Sequence, residues 1–299
     1  MKRIITIAFT ILWALNSFSQ EFGTHWISFP LPNDSSEVLF RRTYALTELP
    51  QEAQITFMSS GKVKVFVNER NITNDITFGN LDTTSAVAHT YEITRLLNAH
   101  YNTIAVWYAP TKGSPISKQL SLEFYGKDFL GNPFYHKADG SWSCQIQKGS
   151  YTRENKETFD NQNYHYNWKQ SDFNKAKWLH PLGAFQHDKA LSLTESLAIW
   201  PKSTNAKLHH VLKPVNSRKD SLGIEYVFDR EFKGTIRLTL RGAKKGETLL
   251  IDGFTYICNG ELDEQAFRRF TTSRQRTVTI RGDQCFKASQ ITLIEALEY

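Results

Sequence analysis

Ile55-Thr56-Phe57-Met58-Ser59-Ser60-Gly61-Lys62-Val63-Lys64-Val65-Phe66-Val67 decides the fold class. Ile55 and Phe57 alternate with polar residues, then Ser59-Ser60-Gly61 supplies a turn, and Val63, Val65 and Val67 alternate again. Period-two alternation on both sides of a glycine turn predicts a β-hairpin with one buried face. The same pattern recurs outward. Val38 to Leu46 alternates loosely around Arg41 and Arg42, and Ile104, Val106 and Tyr108 and then Leu120, Leu122 and Phe124 form further strands. Beyond Glu225 the pattern resumes with Ile236, Leu238 and Leu240, with Leu249 and Ile251 after a Lys-Lys-Gly-Glu turn, and with Val278 and Ile280. No long helical period interrupts it; the segment from Tyr91 to Asn98 is the best short helix candidate. Strands at short spacing with glycine turns must bury one face against another sheet, so the expected fold is all-β, two tandem jelly-roll or β-sandwich domains.

The expected organisation is an export signal over 1–19, a first domain over 20–180, a connecting segment over 181–214 that contains three prolines, and a second β-sandwich over 215–299. Lys2 and Arg3 precede an apolar run from Ile4 to Leu15 that is too short to span a bilayer. Ser17 and Ser19 suit cleavage after Ser19, and no cysteine stands there to take a lipid, so a periplasmic or secreted protein without a membrane anchor is expected. The 299 residues carry 36 basic and 30 acidic side chains, and loss of Lys2 and Arg3 lowers the net charge from +6 to +4. That mild excess, with no basic cluster, suits an acidic glycan better than nucleic acid. Of the three cysteines, Cys258 and Cys285 could pair if adjacent strands bring them together; small buried residues are the plainer reading of all three.

The chemistry concentrates in Glu157-Thr158-Phe159-Asp160-Asn161 and the Trp168, Phe173 and Trp178 that follow. Asp160 and Asn161 offer the oxygens that calcium takes, and bound calcium accepts vicinal sugar hydroxyls; alternatively both cap backbone groups of a loop. Trp168 is the best candidate for a sugar platform and Arg153 for a carboxylate contact. Tyr164, His165 and Tyr166 are candidates for acid–base work, because imidazole accepts a proton near neutrality and a tyrosine donates one or, if its pKa falls, accepts one. His210, beside His209, could line a cleft between the domains. Arg41 and Arg42 read as strand-surface residues, and Arg268 and Arg269 as solvated strand ends.

Several phrases resemble the N-terminal region of bacterial α-L-rhamnosidases: His25-Trp26-Ile27, Leu39-Phe40-Arg41-Arg42, Val65-Phe66-Val67-Asn68, Tyr91-Glu92-Ile93-Thr94, Asn102-Thr103-Ile104-Ala105-Val106 and Asp139-Gly140-Ser141-Trp142. The stretch from Phe159-Asp160-Asn161 to Trp178 continues the resemblance, as do Tyr226-Val227-Phe228-Asp229, Gly234 and Gly246-Glu247-Thr248. It implies jelly-roll modules, some of which bind L-rhamnose through calcium with an Asp-Asn pair like Asp160-Asn161. It also implies a helical catalytic domain that does not follow here, so rhamnosidase hydrolysis is not carried over. Asn161-Gln162-Asn163-Tyr164-His165-Tyr166 departs from the family, which places a small residue and arginine after the aspartate.

Two functions are expected. The first is β-elimination on acidic oligosaccharides that contain rhamnose and uronic acid, by a lyase or dehydratase with His165, Tyr164, Tyr166 and His210 as its acid–base groups. The second is a non-catalytic calcium-dependent rhamnose- or oligosaccharide-binding protein that needs only Asp160, Asn161 and an aromatic platform.

Overall fold

The computed structural model describes residues 25–31, 35–73, 88–111, 118–153, 156–184, 208–219 and 223–299. The segment read as an export signal, 1–19, lies outside these residues, as does most of the connecting segment 181–214. The first half carries β1 (Trp26–Ser28), β2 (Ser36–Leu46), β3 (Glu52–Ser59), β4 (Lys62–Val67), β5 (Arg70–Asn71), β6 (His89–Glu92), β7 (His100–Ala109), β8 (Gln119–Lys127), β9 (Pro133–Lys137), β10 (Ser143–Arg153) and β11 (Lys156–Asp160). There follow β12 (Leu182–Ala184), β13 (His210–Leu212), β14 (Asn216–Lys219), β15 (Ile224–Arg241), β16 (Thr248–Ile251), β17 (Phe254–Ile257), β18 (Asp263–Phe267), β19 (Ser273–Gly282) and β20 (Ile291–Glu298). The protein is all-β, as the alternation predicts. The helix candidate near Tyr91 is the end of β6 followed by one 3-10 turn, Thr94–Leu96. No helix of the described residues is long and apolar enough to cross a membrane.

The strands form a six-stranded sheet in the order β12-β1-β8-β3-β6, with β9 also on β8, and a fourteen-stranded sheet in the order β13-β20-β15-β19-β16-β17-β11-β10-β2-β7-β4-β5, with β14 and β18 also on β15. The predicted hairpin at Ser59-Ser60-Gly61 is overturned. β3 pairs with β6 and β8 in the six-stranded sheet, whereas β4 pairs with β5 and β7 in the other. The turn is therefore an arch that carries the chain from one layer to the next. Its glycine is required by close approach, because a Cβ on Gly61 would sit 2.5 Å from the Ala109 carbonyl oxygen and from the Tyr108 ring. Both strands bury their alternate apolar residues in the same core, so their sequences look the same in an arch and in a hairpin.

That core lies between the six-stranded sheet and β2, β4, β7 and β10. It takes Ile55 and Phe57 from β3, Val63, Val65 and Val67 from β4, Ile104, Val106 and Tyr108 from β7, and Leu120, Leu122 and Phe124 from β8. Trp142 and Cys144 complete it. The other faces of β2, β4 and β7 are covered too. Leu39, Phe66, Ala105, Trp107 and Ala109 belong to a second core shared with Phe228, Ile236, Leu238, Tyr256, Val278 and Ile280 of the C-terminal half. Antiparallel sheets commonly keep one face wet; this central sheet has neither face wet in its middle, and each large side chain on the second face adds roughly 1.5–3 kcal/mol of burial.

Strand β15 belongs to both layers of the C-terminal sandwich. Residues 224–227 lie between β14 and β19, residues 234–240 pair with β20, and residues 237–241 pair with β18. The register with β19 shifts between Val227 and Phe232, which lets the strand bend over Phe228 and Phe232. Cys258 and Cys285 are not bonded; Cys144, Cys258 and Cys285 are all free, the first two buried. Burial pushes the Cys144 thiol up to about 12, as expected of a cysteine that acts as a small apolar residue.

Candidate functional site

The two sandwiches meet at β11. This strand leaves its hairpin with β10 and adds in parallel to β17, with Glu157 opposite Phe254 and Asp160 opposite Ile257. Glu157 is buried at the joint. Its carboxyl group accepts hydrogen bonds from the backbone N–H groups of Arg269 at 2.5 Å, Phe270 at 3.0 Å and Thr271 at 3.0 Å, and from the Thr271 hydroxyl at 2.9 Å. Glu37, also buried, accepts from Trp107 Nε1 and from the Thr152 hydroxyl, each at 2.7 Å. Burial, and next the negative charge of Glu157, push Glu37 up to about 8.

Arg269 and Arg268 are not solvated strand ends. Their backbone runs directly beside Glu157, so their side chains stay inside. The Arg269 guanidinium lies 3.3 Å from the centroid of the Phe159 ring and 4.6 Å from that of Phe267. Arg268 donates to the Thr271 hydroxyl and to the Asp252 carbonyl. Arg41 is also buried rather than superficial. It donates to the Gln170 carbonyl at 2.5 Å and lies over the Phe173 ring, so it clamps the segment after β11 onto the central sheet.

Asp160 caps the 3-10 turn Asn161–Asn163. Its Oδ1 accepts from the Gln162 N–H at 2.9 Å and its Oδ2 from Asn163 Nδ2 at 2.6 Å. Gly149, at φ +77°, passes so close that a Cβ there would lie 2.6 Å from Asp160 Oδ2. Asn161 turns into the joint. Its amide nitrogen donates to Tyr256 OH at 2.8 Å and to Glu264 at 3.0 Å, and its Oδ1 accepts from Tyr166 OH at 2.8 Å. All three side-chain oxygens of the pair therefore already accept a hydrogen bond. Among the described residues no cluster of three or more acidic, histidine or cysteine side chains is gathered to hold a metal ion. Asp160 takes the capping role of the alternative reading, and the oxygens of the pair are engaged within the protein.

The aromatic run behind this pair is mostly packing. Trp168 is 0% exposed, with its ring edge-on to Phe66 and its Nε1 donating to Tyr164 OH at 3.1 Å. It offers no open face for a sugar, which corrects the expectation of a platform there. Trp178 stacks on Trp168, and Tyr164 stacks on Trp107 at 5.2 Å. Tyr166 is different: it is 53% exposed, edge-on to Tyr164 at 4.7 Å, with its hydroxyl held by Asn161. His165 and Asn167 beside it are exposed.

The expected acid–base set is not assembled. His210 lies on β13 and approaches Glu298 at 3.0 Å, with β20, β15, β19, β16 and β17 between it and β11 along the sheet. Arg153 is exposed at the end of β10, in the hairpin that precedes β11. Burial raises the pKa of Tyr164 and of Tyr166, the opposite of what a tyrosine base requires. The structure thus brings together Asn161, Tyr166, Tyr256 and Glu264, the last two absent from the sequence reading. Glu264 ties this network, accepting from Asn161, Tyr256, and the N–H groups of Asn259 and Gly260. No period or spacing links residues 161 and 264; the parallel β11–β17 pairing sets Tyr256 beside Asn161, and the pairing of β18 with β15 sets Glu264 beside both.

No family model matches the sequence, and no curated protein does. Solved structures do match. The α-L-rhamnosidase from Dictyoglumus thermophilum is 15% identical with a TM-score of 0.78, over 94% of this chain and 36% of the enzyme. That from Aspergillus terreus is 15% identical with a TM-score of 0.74, over 92% and 36%. That from Streptomyces avermitilis, solved with L-rhamnose, is 15% identical with a TM-score of 0.72, over 89% and 29%. The chain spans about a third of the length of these enzymes. At such identity the likeness is one of fold: this chain folds like one part of an α-L-rhamnosidase.

Proposed function

We propose that this chain is a carbohydrate-binding protein that holds rhamnose-containing oligosaccharide at the surface turn formed by His165, Tyr166 and Asn167. The observation that carries the reading is the fold shared with α-L-rhamnosidases over 94% of this chain. The turn has the chemistry a sugar needs. Tyr166 presents an aromatic face fixed by Asn161, and His165 and Asn167 flank it with polar groups. The export signal read in residues 1–19 suits a protein that meets glycans outside the cytoplasm.

Binding is favoured over β-elimination by one specific observation. Elimination needs a base and an acid in one site, and the residues read for it are split: His210 stands on β13, with five strands between it and β11 along the sheet, and burial turns Tyr164 and Tyr166 away from the role of base. The test is to incubate the full chain with a rhamnosyl-glucuronate oligosaccharide and follow both binding and unsaturated-uronate absorbance. Saturable binding with flat absorbance, weakened about tenfold by Tyr166→Ala, is expected from loss of one aromatic contact. Rising absorbance that His165→Ala removes would return the protein to the lyases.

A further inference from the structure

We propose that one part of the outward face of the six-stranded sheet, the row Glu92, Gln54, Tyr125 and Tyr135, is a second sugar-binding surface, suited to an uncharged stretch of the glycan. The inference rests on the carbohydrate reading above but uses none of the residues of the junction. Register fixes the face. On β3, Ile55 and Phe57 point into the core, so Gln54 and Thr56 point out. On β8, Leu122 and Phe124 point in, so Glu123 and Tyr125 point out.

Pairing then sets out two rows. One runs Glu92, Gln54, Tyr125, Tyr135 across β6, β3, β8 and β9. The next runs Thr90, Thr56, Glu123, Lys137, in which Thr56 and Glu123 are buried and only support their neighbours. Neighbouring strands lie about 4.8 Å apart, so the first row offers a polar or aromatic group at regular short steps.

These side chains are ordered before any ligand arrives. Thr90 and Thr56 hydroxyls are 2.8 Å apart, the Thr56 hydroxyl is 3.1 Å from Tyr125 OH, and Tyr125 OH donates to Gln54 Oε1 at 3.1 Å. That last bond turns the Gln54 amide so that its two N–H donors carry no partner among the described residues. Tyr135 is 42% exposed beside them, and Thr90 and Glu92 are exposed. A hydroxyl chain that gives and takes hydrogen bonds, next to an open ring, matches a polyhydroxylated ligand with one apolar face.

Charge narrows the occupant. Lys127 pairs with Glu52 at 3.3 Å, Lys137 stands opposite Glu123, and Arg95 offsets Glu92. The face has no excess of either sign to draw a polyanion or an anionic membrane. An uncharged oligosaccharide segment is the ligand class this chemistry accepts.

The test is calorimetric titration of the full chain with a neutral rhamnose tetrasaccharide, in the wild type and in Tyr135→Ala, Gln54→Ala and Tyr166→Ala. The wild type is expected to show two sites. Tyr135→Ala should weaken one about tenfold, Gln54→Ala should weaken the same one, and Tyr166→Ala should affect only the other. A site that persists in Tyr166→Ala and is lost in Tyr135→Ala upholds the sheet face even if the junction assignment fails. Titrations of Tyr135→Ala and Gln54→Ala identical to the wild type overturn the sheet face while leaving the junction standing. Absence of any binding to the wild type overturns it as well.

Discussion

Two regions of this molecule exchange roles between sequence and structure. The stretch from Glu157 to Trp178 carries acid, amide, histidine and aromatic residues in close succession, and most of it is mortar between sandwiches. The outer face of the six-stranded sheet carries ordinary-looking strand residues, and register gathers them into an ordered polar and aromatic surface. The difference is burial. Trp168, Phe159, Glu157 and Arg269 are consumed in covering the second face of β2, β4 and β7, whereas Tyr135, Thr90 and Glu92 have no such duty.

The sharpest way to break this comparison is Trp168→Ala. If the ring is packing, the substitution leaves a cavity at the joint and costs about 3–5 kcal/mol in denaturant unfolding. A near-neutral result would make Trp168 available for a ligand. Next comes pH. The folded pKa of Glu37 is raised, from an ordinary 4.5 to about 8, by burial and Glu157, while Arg269, Thr152 and Trp107 lower it by less. Its stabilisation is therefore complete below about 4.5 and lost as pH rises through about 8. Thermal unfolding should move to lower temperature across that window, and Glu37→Gln, neutral throughout, should flatten the slope.

Gly149→Ala sharpens the capping account of Asp160. The new Cβ meets Asp160 and sits at positive φ, so a loss of about 1–3 kcal/mol is expected in the same unfolding assay. At the small end, Tyr135→Ala should change stability by no more than about 0.5 kcal/mol while weakening sugar binding. A chelator should leave the melting temperature where it was, because the oxygens of Asp160 and Asn161 are already engaged within the protein.

The strands themselves were legible, because Ile104, Val106 and Tyr108 or Leu120, Leu122 and Phe124 alternate about a buried face. Their partners were not. The arch at Gly61 and a hairpin there require the same local residues, and pairing is settled by contacts far along the chain. The burial of Arg41, Arg268 and Arg269 was equally hidden. An arginine in a strand reads as a surface residue unless the covering segment, here residues 170–173 for Arg41, is known to fold back. In the candidate site, Asp160, Asn161 and Tyr166 stood out by composition. Tyr256 and Glu264 could not, since the parallel β11–β17 pairing that delivers the first and the antiparallel β15–β18 pairing that places the second bring them to a residue about a hundred positions away.

The most direct test of the central claim is calorimetric titration of the full chain with a rhamnosyl oligosaccharide in the presence of a chelator. The account predicts saturable binding in that buffer, weakened by Tyr166→Ala. Heat that appears only after calcium is restored, or no heat under either condition, would contradict it.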